Sequence, residues 1–203
     1  MDKNQLNSLL SGKSPEQKKV IKYFNQIGGC MNKPMSDSEY DAMVTQKINS
    51  MDFRARALDK IGLDESEVTE IAPVNFHGYV YTGNVYVLRG KDNKWRSSAY
   101  QISWIFFSAS QVYLYQYTFN MDEGSKKEIT EEYFYKDITN FSTSTDTTES
   151  LQFKGCSGTP NRISVEIQRF SLIVPGDKFS CATFGDIEAN VKAMKNKLRE
   201  KKM

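Results

Sequence analysis

The sequence predicts an α+β chain: a helical N-terminal segment, then an antiparallel β-barrel or sandwich closed by a C-terminal helix. Three observations predict it. Capping signals and helical apolar spacing fill the first seventy residues. From residue 76 the apolar period becomes two, with turn residues between the runs. Helical spacing then returns in a basic stretch at the end. The charge balance, 27 Lys and Arg against 25 Asp and Glu for a net of +2, gives no global attraction to nucleic acid or membrane.

Residues 1–13 are polar and read as a frayed terminus. Ser14-Pro15-Glu16-Gln17 joins an N-cap serine, a first-position proline and a glutamine able to close a capping box. Val20, Ile21, Phe24 and Ile27 follow at helical spacing, and Gly28-Gly29 stops the helix. After a loop over 30–35, Ser36-Asp37-Ser38-Glu39 opens one long helix, with a stripe from Tyr40 to Ile61 and Gly62 as C-cap. Asp64–Glu67 starts a short third helix cut off before Pro73. The helical segment therefore spans 14–72.

The β domain spans 74–203. Phe76–Thr82 and Val85–Arg89 read as a hairpin about Gly83-Asn84. Gly90–Lys94 is a second turn, and Trp95–Phe107 and Gln111–Asn120 are long strands. In the latter, Tyr113, Tyr115, Tyr117 and Phe119 share one face while Val112 and Leu114 share the other. A strand over 129–135 completes a five-stranded meander. The Ser/Thr-rich tract 142–150 is an edge strand or a loop, and 155–161 is a loop by composition. Ile163, Val165 and Ile167 alternate cleanly, then the apolar parity slips to Phe170, Leu172 and Val174, which predicts a bulge or turn near Arg169. Pro175-Gly176-Asp177 turns into a last strand. The helix 185–201 starts at Gly185-Asp186, with Ile187, Val191, Met194 and Leu198 on one face and a basic end.

Tyr135-Lys136-Asp137-Ile138, followed by Phe141, resembles the strand-turn step of bacterial pleckstrin-homology-like domains. The element order over 74–203 agrees with that resemblance, which implies seven or eight strands and one closing helix.

Few residues suggest catalysis. His77 is the sole histidine, so a Ser-His or Cys-His dyad would have to use it, and a two-histidine metal site cannot form. Cys30, Cys156 and Cys181 are too widely spaced for a metal knuckle or a disulfide framework, and a cytoplasmic setting follows. No phosphate-binding or dinucleotide-binding glycine loop is present. The reading is of a non-enzyme with no cofactor and no metal.

Two binding candidates remain. Lys91, Lys94 and Arg96 in the 89–96 hairpin could cup an anionic lipid head group with Trp95 at the interface, as the resemblance implies for its first hairpin. Hairpin tips also carry lysine to stay soluble and guard edges. Tyr113, Tyr115 and Tyr117, with Tyr133 and Tyr135 on a neighbouring strand, could face a protein partner. The same tyrosines could equally stabilise a sheet through cross-strand pairs. The expected function is a non-catalytic binding or scaffolding module contacting a protein through the tyrosine face or a sheet edge. The alternatives are a peripheral membrane module and a small-molecule carrier or enzyme. Nucleic acid is not expected, and a homo-oligomer is compatible with the sequence.

Overall fold

The computed structural model describes residues 3–26, 35–153, 160–183 and 187–202. The Gly28-Gly29 stop, most of the 30–35 loop, Cys30, Cys156, most of the 155–161 loop and the Gly185-Asp186 helix start lie outside them. Helices α1 (Lys3–Leu10), α2 (Pro15–Phe24), α3 (Asp37–Asn49) and α4 (Phe53–Ile61) precede a 3-10 turn at Glu65–Glu67. Strands β1 (Val74–Val80), β2 (Val87–Arg89), β3 (Trp95–Ser97), β4 (Ala99–Phe107) and β5 (Gln111–Asn120) follow. Then come β6 (Lys126–Phe134), β7 (Asn140–Phe153), β8 (Pro160–Val174), β9 (Asp177–Ala182) and α5 (Glu188–Lys202).

The helices start where their side chains can satisfy free N–H groups. Ser14 Oγ accepts from the Gln17 N–H at 3.2 Å while Gln17 Oε1 accepts from the Ser14 N–H at 2.9 Å. Ser36 and Glu39 repeat the reciprocal pattern for α3. The expected single helix after Ser36 is in fact two. Asp52 Oδ1 accepts from the Ala55 N–H at 3.0 Å and starts α4 afresh, while Ser50 Oγ turns back to the Lys47 carbonyl. These short polar side chains compete for backbone groups and break the rod, although the apolar stripe runs through. Gly62 ends α4 at φ +79°, a left-handed angle open to glycine. Residues 3–10 are helical where a frayed terminus is expected.

Three antiparallel sheets form, and they are not closed into a barrel. The four-stranded sheet has the order β1-β4-β5-β6, the second is the β2-β3 hairpin, and the third is β7-β8-β9. The Gly83-Asn84 hairpin does not occur, because β1 pairs with β4 from Val74↔Ile105 to Val80↔Ala99. β2 belongs instead to a separate hairpin whose Val87 packs with Val165 and Ile167. The five-strand meander is thus corrected to four strands plus a hairpin. The Ser/Thr tract is part of β7.

The bulge near Arg169 is also absent. β7 and β8 stay in one register from Asn140↔Ile173 to Phe153↔Pro160. The parity slip has another cause: the two halves of β8 bury opposite faces. Val165 and Ile167 point to the β2–β3 hairpin, whereas Phe170, Leu172 and Val174 enter the main core.

The four-stranded sheet is covered on both faces. One face, with Val74, Phe76, Ile105, Phe107, Val112 and Leu114, packs against β7–β9 and against Val191, Met194 and Leu198 of α5. The other, with Ile102, Phe106, Tyr115, Tyr117 and Phe119, packs under α2, α3 and α4 through Phe24, Tyr40, Val44, Phe53 and Leu58. The helical segment and the β domain therefore share a core. Burying such aromatic and aliphatic side chains contributes roughly 1.5–3 kcal/mol each. No helix among the described residues is long and apolar enough to cross a membrane.

Candidate functional site: a cleft between two strand edges

The expected tyrosine surface is not a surface. Tyr115 is 0% and Tyr117 5% exposed, both beneath α4. Arg56 of α4 reaches over the sheet, its Nε donating to Glu128 Oε1 at 2.8 Å and its Nη2 to Glu128 Oε2 at 2.8 Å. Tyr115 OH donates to the same carboxylate at 2.6 Å, and the Arg56 guanidinium lies 5.5 Å from the Tyr117 ring centre. Arg56 holds the Glu128 carboxyl down to about 2. Tyr113 is half-buried and donates to Gln111 Oε1. Tyr133 and Tyr135 lie on the opposite face, where Tyr133 stands across from Val112. Tyr135 is buried and donates to the Ser108 carbonyl, while Tyr133 donates to Glu131 and Asp177. The sequence groups five tyrosines that the sheet divides between two faces.

The lipid-cup candidate is also divided. Lys91 and Lys94 are exposed, but Arg96 is only 3% exposed and engaged by two carboxylates. Its Nε and Nη2 donate to Asp41 at 2.7 and 2.6 Å, and Nη1 and Nη2 donate to Asp92 at 2.9 Å each. Arg96 holds the Asp92 carboxyl below the usual carboxylate range. Asp37 accepts from the Lys91 N–H and the Tyr23 hydroxyl at 2.8 Å each. A Cβ on Gly90 would come within 2.4 Å of Arg96 Nη1 and 2.6 Å of Asp37 Oδ2, so a larger residue there would displace those side-chain ends. Arg96 is the clamp that docks the β2–β3 hairpin on α3, and it is not available to an anionic head group.

His77 Nδ1 lies 2.6 Å from the Tyr100 hydroxyl, and burial pushes its pKa below the ordinary histidine value. Burial also pushes the Cys181 thiol up to about 12, which leaves it a poor nucleophile. No group of three or more metal-ligating side chains occurs among the described residues. The basic end of α5 is partly structural: Lys197 is buried against Glu70 and Glu200, and Lys201 lies 3.3 Å from Glu70.

Among the cavities of the described residues is a cleft of about 710 Å³ between β1 and β8. Its size lies in the range of about 300–1,000 Å³ usual for ligand sites. Tyr81 and Trp95 form an aromatic wall, fixed by the hydrogen bond from Tyr81 OH to the Trp95 carbonyl at 2.9 Å. Ser97 and Ser150 hydroxyls donate to the Val80 and Tyr81 carbonyls and hold that end of β1 in place. Gln101 closes the floor, accepting from the Ala182 N–H at 2.9 Å. Lys94, Glu166 and Arg169 line the cleft as well, and none has an ion pair among the described residues. Thr183 brings a buried hydroxyl with no hydrogen-bond partner among the described residues. Of the residues singled out in the sequence for binding, Lys94 and Trp95 belong to this cleft. The others come from elements far apart in sequence, joined by no motif.

Against known proteins, no family model, no curated protein and no solved structure matches the chain.

Proposed function

We propose that the chain is a non-catalytic binding module that holds a segment of a partner protein in the cleft between β1 and β8. The observation that supports this best is the unequal state of the charged side chains. Arg56, Arg96 and Lys197 are each tied to carboxylates inside the molecule, whereas Lys94, Arg169 and Glu166 meet at an aromatic-walled cleft without such partners among the described residues. Organised polar groups beside apolar walls are what recognition sites need. The state of His77 and Cys181 fits a role without catalysis.

The pleckstrin-homology-like reading of 74–203 belongs to the same proposal. Strands followed by one closing helix favour it. A reducing, cytoplasmic setting goes with it, since Cys181 is a free buried thiol. The surface offers little for flat apolar docking: Phe134 is the exposed large hydrophobic side chain among the described residues.

Panning a displayed library of random heptapeptides over the full chain tests the proposal. Enriched peptides should lose at least about tenfold in affinity for a Lys94→Glu/Arg169→Glu variant, about 1.4 kcal/mol. They should bind Lys91→Glu within about twofold of wild type. Failure to enrich any peptide, or equal effects of the two variants, sinks the reading.

A further inference from the structure

The cleft meets its β8 wall edge-on. Glu166, Ile167, Gln168 and Arg169, which line it, are consecutive on that strand. Successive side chains on a strand leave opposite faces, so a cleft touched by four in a row lies beside the strand edge. Among the described residues, no strand pairs with that edge of β8 ahead of Gln168. β7 pairs with β8 along its whole length, from Asn140↔Ile173 to Phe153↔Pro160. β9 pairs only from Arg169↔Ala182 to Val174↔Asp177.

The direction of the backbone groups follows from one hydrogen bond. The Thr183 N–H donates to the Gln168 carbonyl at 3.2 Å, so Gln168 turns its backbone to the β9 side. In an antiparallel ladder, alternate residues turn to one neighbour and then to the other. Glu166 therefore presents N–H and C=O to the cleft and Ser164 turns its own to the same side just beyond it, while Val165 and Ile167 turn theirs to β7. Such an unpaired edge is a template for another strand.

Resting on the reading above, we infer that the partner segment enters as an added β-strand on the Ser164–Glu166 edge of β8. Main-chain bonds would give affinity and flanking side chains specificity. Two cations, Lys94 and Arg169, line the cleft against one anion, Glu166. The occupant is accordingly an extended polypeptide segment carrying a carboxylate. The outer edge of β6 is a poorer template. Five of its nine residues, Lys126, Lys127, Glu128, Glu131 and Glu132, are charged, a pattern that protects edges from pairing.

Residue-resolved amide exchange by NMR, with a peptide selected as described, separates this mode from binding in general. With peptide at about ten times its Kd, the Ser164 and Glu166 amides should exchange about tenfold more slowly. Methylating alternate peptide nitrogens should abolish binding in one register and spare it in the other. Binding that depends on Lys94 and Arg169 but slows neither amide would refute strand addition and leave the cleft reading standing. Slowing at β6 amides would refute it as well. Protection that grows with protein concentration alone would identify a second copy of the chain as the occupant and overturn the inference. No selected peptide at all would remove both readings.

Discussion

Arg96 and Arg169 make opposite use of the same side chain. Arg96 is buried and bonded to Asp41 and Asp92, and through them it fastens the β2–β3 hairpin to α3. Arg169, in the lining of the cleft, has no ion pair among the described residues. A cation's place in the sequence says little about its role; what decides is whether the fold has already given it a carboxylate. The two sheet regions differ in the same way. The tyrosine face of β5 is covered by the chain's own helices, while the β8 edge has no neighbouring strand beyond β9 among the described residues.

The largest contrast concerns stability. Arg96→Ala should cost about 2–3 kcal/mol, below the usual loss for a broken buried pair because both carboxylates keep contact with water. Arg169→Ala should stay within about 0.5 kcal/mol of wild type. Urea unfolding of the two variants side by side measures this, and equal losses would erase the distinction.

A smaller effect belongs to Glu128, which Arg56 holds at about 2 against an ordinary 4.5. Because the folded value is the lower one, the pair's contribution is whole above pH 4.5 and disappears as pH falls towards about 2. The carboxylate is 21% exposed, so roughly 1 kcal/mol is expected rather than the full value of the shift. Glu128→Gln should be less stable than wild type by that amount at pH 6 and equal to it near pH 2. A constant difference across the range would show that the pair does not hold the helices to the sheet.

Local signals were legible where they were sufficient. Ser14-Pro15-Glu16-Gln17 and Ser36–Glu39 announce their helices because a cap is satisfied within four residues. Gly62 marks a helix end for the same reason. Asp52 gives no such signal in the sequence because the apolar stripe continues across it. Gly83-Asn84 reads as a hairpin, yet β1 finds a better partner in β4, whose two faces are both buried, and this pairing is non-local. The period of β5 correctly separates Tyr115 from Leu114, but which side faces water depends on where α4 docks. The β8 parity slip was a true signal given the wrong cause, since a strand passing between two clusters shows the same pattern as a bulge. The cleft is built from β1, β3, β8 and the end of β9, so no window of sequence contains it.

The most direct measurement is residue-resolved amide exchange on the free chain, with no partner present. The Ser164 and Glu166 amides should exchange fast while their neighbours Val165 and Ile167, bonded to β7, exchange slowly. Uniformly slow exchange from Ser164 to Ile167 would mean that the β8 edge is already paired, and the cleft would not be a place where another strand can enter.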